Sequence, residues 1–221
     1  MKLLNNIKLL IAADGGASSG KTTASKLIAK KYDLKLLTSG LLYRFIAYKL
    51  LKAKKIKSRN VFLKKITKKI TPKNLKNRNL FDTEVTKYTS KIAKIKRIRN
   101  LLKSYQINFA KNRLCVIEGR DIGTVVIPKA DLKLYFKCSL NTKAKRRFKE
   151  YRKTNKKISF NEIKKAIKLR DSNDSKRKIS PLKPAKDAVI VDTSKINKKQ
   201  MLIKLSKIIE EKLKEMYGRN L

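Results

Sequence analysis

Apolar residues recur along this chain in two rhythms. Five short, mainly apolar runs, at 7–13, 34–38, 114–118, 132–137 and 188–192, read as buried parallel strands, in which polar and apolar residues need not alternate. Between them the apolar positions fall three or four apart, as on one face of a helix. The residues from 21 to 32 follow this spacing. So do those from 83 to about 112, where Val85, Tyr88, Ile92, Ile95, Ile98, Leu102, Tyr105 and Phe109 predict one long helix. Met201, Leu202, Leu205, Ile208, Ile209 and Leu213 predict another over 197–216, ending near Gly218. Strands alternating with helices argue for an α/β doubly wound fold around a five-stranded parallel sheet. The pattern is weakest over 52–82, which is rich in lysine and offers one helical stretch at 61–70 before Pro72. Residues 152–160 are polar and lysine-rich and read as a mobile loop between two helices.

Chemistry first appears where the first strand run ends. Gly15, Gly16, Ala17, Ser18, Ser19, Gly20, Lys21 and Thr22 spell the complete G-x-x-x-x-G-K-[ST] signature. A strand precedes it and a helix follows it, the context that gives the pattern structural meaning. Glycines let backbone N–H groups converge on phosphate oxygens, and the following helix adds the positive end of its dipole. Lys21 is expected to reach the outer phosphates and Thr22 to ligate Mg²⁺. Glu118, ending the third strand run, is placed to hold the metal through water, and Asp14 to brace the phosphate loop.

Composition changes this picture less than its extremity suggests. Lys and Arg total 60 against 16 Asp and Glu, a formal charge of +44. Such a field attracts polyanions without regard to their sequence. Lysine is nevertheless spread over the whole chain and outnumbers arginine 47 to 13, whereas specific phosphate and base contacts favour arginine. Only non-specific nucleic-acid association is therefore expected. There is no histidine, which excludes histidine-based acid–base or metal chemistry. Cys115 and Cys138 lie in or beside strand runs and read as buried, reduced thiols. Asn5, Asn6 and Lys8 interrupt the N-terminal apolar stretch, and no run approaches the ~18 residues needed to span a bilayer. A cytoplasmic protein without membrane association is expected, at 221 residues a single domain.

Three further clusters follow in order. The second strand run leads into Thr38-Ser39-Gly40-Leu41-Leu42-Tyr43-Arg44. The third leads into Glu118-Gly119-Arg120-Asp121-Ile122-Gly123-Thr124. Arg170-Asp171-Ser172-Asn173-Asp174-Ser175-Lys176-Arg177 comes later, ahead of Ser180-Pro181-Leu182. Ligands in open α/β sheets gather at the carboxyl ends of strands, where the first two clusters fall. With the phosphate loop and the segment from Ser90 to Arg99, this ordered set resembles the bacterial cytidylate kinases, nucleoside monophosphate kinases with a phosphate-binding loop. The resemblance runs essentially from end to end.

The resemblance implies a three-layer fold with a core at about 1–50 and 83–221, a short acceptor-binding insertion at about 51–82 and a lid at about 147–160. It implies ATP-dependent phosphorylation of CMP and dCMP by in-line transfer, with Mg²⁺ and no further cofactor, by a monomer. Residues Gly15 to Thr22, with Thr23, would bind ATP, helped by Arg146 or Arg147 from the lid. Arg44 and Arg120 would grip the acceptor phosphate. Ser90, Arg99 and Asp121 would read cytosine, Ser39 would position the acceptor and Asp174 would hold the ribose hydroxyls. Arg170 and Arg177, with Lys21 and Arg120, would stabilise the phosphoryl group in flight. The residue types suit the chemistry on independent grounds. Phosphoryl transfer needs positioning and positive charge more than a general base, and guanidinium groups fit phosphate in a bidentate manner. The sequence departs from the family pattern at Gly16, where proline is usual, and at Asn173, where another charge is expected. The stretch between Arg44 and Ser90 is short for the family, so a trimmed insertion and weakened acceptor affinity are expected. A kinase for UMP or a nucleoside would share the loop without the Ser90, Arg99 and Asp121 set. A basic RNA-associated NTPase of the guanine-reading kind would carry Asn-Lys-x-Asp, which Asn155-Lys156-Lys157-Ile158 and Asn197-Lys198-Lys199-Gln200 both lack.

Overall fold

The computed structural model describes residues 7–152 and 158–218. Its chain forms two compact units, one of Met1–Leu37 with Ala110–Leu221 and the other of Thr38–Phe109.

The first unit is organised by the sheet. Strands β1 (Leu9–Gly15), β2 (Lys35–Thr38), β3 (Leu114–Gly119), β4 (Leu132–Lys137) and β5 (Val189–Asp192) are ordered β2-β3-β1-β4-β5, in a parallel sheet. Every residue of β1 is buried, as its apolar run predicted. The first strand begins two residues later than that run and extends into the glycine turn. The connection after β1 runs to β2 on one side of it, and the connection after β3 crosses to β4 on the other, so the strand order reverses beside β1. A crevice therefore opens at its carboxyl end, where the phosphate-loop signature begins.

Helix α1 (Lys21–Tyr32) follows, spanning the predicted residues. With the C-terminal helix (Lys198–Tyr217) it covers one face of the sheet, and Leu9, Ile11, Ile28, Tyr32, Leu134, Phe136, Val191, Leu205 and Ile209 form the core. The Tyr32 hydroxyl donates to Glu210 at 3.0 Å, satisfying a polar atom that burial would otherwise leave costly. The C-terminal helix starts with a capping box of Asn197 and Gln200 and stops at Gly218, whose φ of 79° suits glycine.

The second unit is helical. Its helices are α2 (Ser39–Lys52), α3 (Arg59–Lys68), α4 (Pro72–Leu75), a 3-10 turn (Arg78–Phe81), α5 (Thr83–Ile92) and α6 (Lys96–Ala110). The poorly patterned stretch at 52–82 thus folds as short helices. Ser58 caps α3 through the Val61 N–H, and Thr71 caps α4 ahead of Pro72. The buried side chains of Leu42, Phe45, Ile46, Leu63, Ile66, Leu80, Val85, Ile92, Ile98 and Leu102 hold the unit together.

One expectation is corrected here: residues 83–112 are two helices rather than one. After Ala93 donates to the Thr89 carbonyl, Lys94 and Ile95 donate three residues back, to Lys91 and Ile92. The turn tightens where the apolar spacing runs three and three, from Ile92 to Ile95 to Ile98. The Ala93 carbonyl, which a continuous helix would pair with the Arg97 amide, accepts from the Arg99 guanidinium at 3.0 Å.

Back in the first unit, α7 (Leu140–Arg152) and α8 (Phe160–Lys176) form a helical pair around Ala144, Ile163 and Ile167, with Phe148 and Phe160 edge to face. Of the predicted lid at 147–160, α7 supplies residues through Arg152, and α8 begins after its N-cap Ser159. Residues 153–157 lie outside the described residues. The C-terminal helix is α9 (Lys198–Tyr217). Among the described residues no helix is long and apolar enough to cross a membrane.

Candidate active site

The signature loop leaves β1 and enters α1 through Gly20, whose φ of 86° is left-handed and suits glycine. Gly20 offers no capping side chain to the first turn of α1, so no protein oxygen from that position competes for the helix's leading N–H groups. The Lys21 ammonium lies back along the loop, donating to the Gly16 carbonyl at 3.2 Å and standing 3.8 Å from a Glu118 carboxylate oxygen. Burial, and then the nearby Arg120 cation, push its pKa down to about 7. The Thr22 hydroxyl donates to the other Glu118 oxygen at 3.0 Å. The buried hydroxyls of Ser18 and Ser19 have no hydrogen-bond partner among the described residues.

Asp14 does not brace this loop as expected. Its carboxylate accepts from the Ile122 and Gly123 N–H groups, both at 2.8 Å, so it shapes the turn after β3. Burial, only partly offset by those N–H groups, raises its pKa to about 6. That turn carries Arg120 and Asp121. Arg120 donates to Asp174 of α8 at 2.9 Å and to the Gly119 carbonyl. Arg177 donates to the Ser180 carbonyl and lies 3.6 Å from Asp174 and 3.7 Å from Asp121. Arg170 projects from the same helix and contributes to the fields at Lys21 and Asp174. Burial favours a neutral Asp174, but Arg120, Arg170 and Arg177 outweigh it and hold the carboxyl below its usual range. Four predicted cations and three predicted acids, Glu118, Asp121 and Asp174, thus share one neighbourhood at the carboxyl ends of β1 and β3.

The two lid arginines part company. Arg146 donates to the Thr193 hydroxyl at 3.0 Å and to the Thr193 carbonyl at 2.6 Å, and a Cβ on Gly20 would stand 3.1 Å from its guanidinium. Arg147 pairs with Glu150 at 3.1 Å one turn along α7. Thr193, fully buried, also donates to the Ser19 carbonyl at 2.7 Å. A cavity of about 370 Å³ adjoins the loop, lined in part by Gly16, Cys138, Lys143, Asp171 and Ser194. Cys115 is buried as expected, but Cys138 is half-buried beside this cavity, past the end of β4.

In the helical unit, Ser39 begins α2 and donates to the buried Gln106 at 2.7 Å. Arg44 donates to the Leu80 carbonyl at 2.7 Å and to Thr86 at 2.8 Å, over the Phe81 ring. Arg99 is buried over the Tyr43 ring. Ser90 is half-buried on α5, next to Thr89.

A family model described as cytidylate kinase matches residues 11–211. The chain belongs to the cytidylate kinase family. A cytidylate kinase of Thermosipho melanesiensis is 38% identical over 212 residues, covering 92% of this chain and 98% of the relative. One of Lactococcus lactis is 35% identical, covering 95% and 99%. Among solved structures, an uncharacterized protein of Eubacterium ventriosum matches with a TM-score of 0.57 at 14% identity, covering 93% of this chain and 99% of that one. That likeness bears on the α/β fold alone.

Phosphoryl transfer commonly draws on a divalent cation beside the phosphates, and the residues here fit one. The Thr22 hydroxyl and Glu118 present hard oxygen atoms side by side, and one Glu118 oxygen is buried without a hydrogen-bond partner. Among the described residues no cluster of three or more acidic, cysteine or histidine side chains could hold a metal. Magnesium commonly takes only one or two protein oxygens and completes its shell with water and phosphate, so the sparse set suits it.

Sequence reasoning missed Asp171, Lys143, Thr193 and Gln106. Asp171 stood inside a quoted cluster, next to Arg170. Thr193 follows the last strand directly, a position that could have flagged it. Lys143 and Gln106 carried no signal, one among 47 lysines and the other on a helix face.

Proposed function

We propose that this chain transfers the terminal phosphoryl group of ATP to CMP and dCMP, as a cytoplasmic monomer serving pyrimidine nucleotide metabolism. The observation that carries the reading is the convergence of Lys21, Thr22 and Glu118 with Arg120, Arg170 and Arg177 around Asp174. The loop from Gly15 to Thr22 binds the donor phosphates through its backbone N–H groups other than that of Ala17, which Asp171 holds, with Thr23 beside them and Arg146 over Gly20. Of the two lid arginines, Arg146 suits that role because it already lies against the loop, while Arg147 is spent on Glu150. Mg²⁺, when bound through Thr22 and Glu118-held water, neutralises charge on the donor. Lys21 regains its proton as polyphosphate approaches, since an anion restores the ammonium that burial disfavours. Arg120, Arg170 and Arg177 offer guanidinium groups to the dispersed charge of an in-line transfer.

Ser39, Arg44 and Arg120 position CMP and its phosphate, and Asp174 holds the ribose. Ser90, Arg99 and Asp121 recognise the cytosine edge. The short helices of 51–82 serve as the trimmed acceptor-binding insertion. With Asp121→Ala, KM for CMP should rise relative to other acceptors, because a buried hydrogen-bond partner is lost; an unchanged acceptor preference removes Asp121 from base reading. The test of the reaction is ADP release with Mg²⁺-ATP and CMP, dCMP, UMP, AMP or GMP at physiological salt. Turnover confined to CMP and dCMP is the expected result. Hydrolysis indifferent to acceptor but stimulated by RNA would overturn it in favour of a nucleic-acid role, which the charge would then serve.

A further inference from the structure

Asp171 has no part in the roles above, yet its carboxylate touches the signature loop itself. One oxygen accepts from the Ala17 N–H at 2.8 Å, and the other accepts from Lys143 of α7 at 2.8 Å. The contact is close enough that a side chain opposite would have to push the carboxylate aside. A Cβ on Gly16 would lie 2.6 and 2.9 Å from the two carboxylate oxygens. Asp171 therefore joins three pieces of chain: the loop at Gly16–Ala17, α7 through Lys143, and α8, on which it sits.

Its place on α8 gives that junction a consequence. Asp171 and Asp174 are three residues apart and share a helix face; the first grips the loop and the second grips Arg120. Arg170 is the adjacent residue. The depth and rotation of α8 against the loop, and with them the stations of Arg170 and Arg177 relative to Lys21, are set by these two carboxylates. The Lys143 ammonium offsets the Asp171 charge, so the tether adds little net repulsion to an incoming polyphosphate.

Resting on the phosphotransferase reading, we propose that Asp171 is a positioning residue of the transfer site, tethering α8 and Lys143 to the Ala17 N–H so that the α8 arginines are registered against the phosphate loop. Displacing reacting groups by about an ångström can cost on the order of 10²-fold in rate. Asp171→Ala should accordingly lower kcat by about 10- to 100-fold with little change in KM for CMP, and should accelerate hydrogen exchange at the Ala17 amide measured by NMR. Asp171→Asn keeps an oxygen for the Ala17 N–H and should restore most of that protection and part of kcat. Gly16→Ala attacks the contact from the other side. It should resemble Asp171→Ala when alone and add little to it in the double variant, where the methyl group has room.

Wild-type kcat in a folded Asp171→Ala, or independent multiplying effects of Gly16→Ala and Asp171→Ala, would overturn the proposal. If Asp171→Ala does not fold, Asp171→Asn and Gly16→Ala decide the matter by the same Ala17 exchange and kcat measurements. A wild-type enzyme that ignores CMP defeats the phosphotransferase reading instead, while the Ala17 exchange rates still report on the tether.

Discussion

Lys21 is a lysine whose charge is conditional. Burial and the neighbouring Arg120 bring its pKa down to about 7, so above that pH the nucleotide-free protein carries it largely neutral. A bound polyphosphate reverses the preference. Nucleotide binding should then take up a proton at about pH 8, measurable by titration calorimetry in buffers of different ionisation enthalpy, and KM for ATP should rise as pH climbs above 7. Stability runs the opposite way: with a folded pKa below the unfolded one, this group favours folding more as pH rises from about 7 toward 10.5. Lys21→Ala should cut turnover by roughly two to three orders of magnitude, as expected for deleting one preorganised donor to the transition state; near-normal turnover would sink the loop's assignment. Thr193→Val probes a different link. It keeps the shape but removes the donor to the Ser19 carbonyl and the acceptor for Arg146. We expect a loss of about 1–3 kcal/mol in urea denaturation, with weaker ATP binding, and an unchanged midpoint would show the junction to be dispensable.

At the scale of elements, α8 concentrates the chemistry in a helix whose start is specified locally. Ser159 accepts from the Glu162 N–H at 3.2 Å, and Glu162 accepts from the Ser159 N–H at 2.9 Å. Ser159→Ala should cost about 1 kcal/mol, seen as a lower denaturation midpoint with kcat nearly intact, because Asp171 and Asp174 hold the far part of the helix by other means. The split between α5 and α6 makes the converse point. Periodicity alone reads one helix there, since both segments carry apolar residues three and four apart. The competing partner for the Ala93 carbonyl is a guanidinium six residues later, a pairing that no local propensity encodes.

Across the whole molecule the +44 charge acts as a diffuse self-repulsion, since lysines are spread along the whole chain. Salt should relieve it. Raising ionic strength from about 0.01 M to about 0.15 M shortens the screening length from ~30 to ~8 Å, and Tm should rise over that range. A Tm that falls would mean that specific ion pairs such as Arg120 with Asp174 outweigh the general repulsion.

The sequence by itself determined the elements marked by short apolar runs or by local caps: the strands, although only β1 is buried along its whole length and β5 is largely exposed, α1 with its glycine entry, and α9 between Asn197 and Gly218. It also determined the turn of the signature loop, because that turn is made by consecutive residues and by backbone that glycine alone permits at Gly20. Only the tertiary structure decided which carboxylate serves which partner. Asp14 turns to the loop after β3, Asp171 to Ala17, and Arg146 rather than Arg147 to Thr193. Those choices depend on distances between residues tens to more than a hundred positions apart, which packing sets and periodicity does not record.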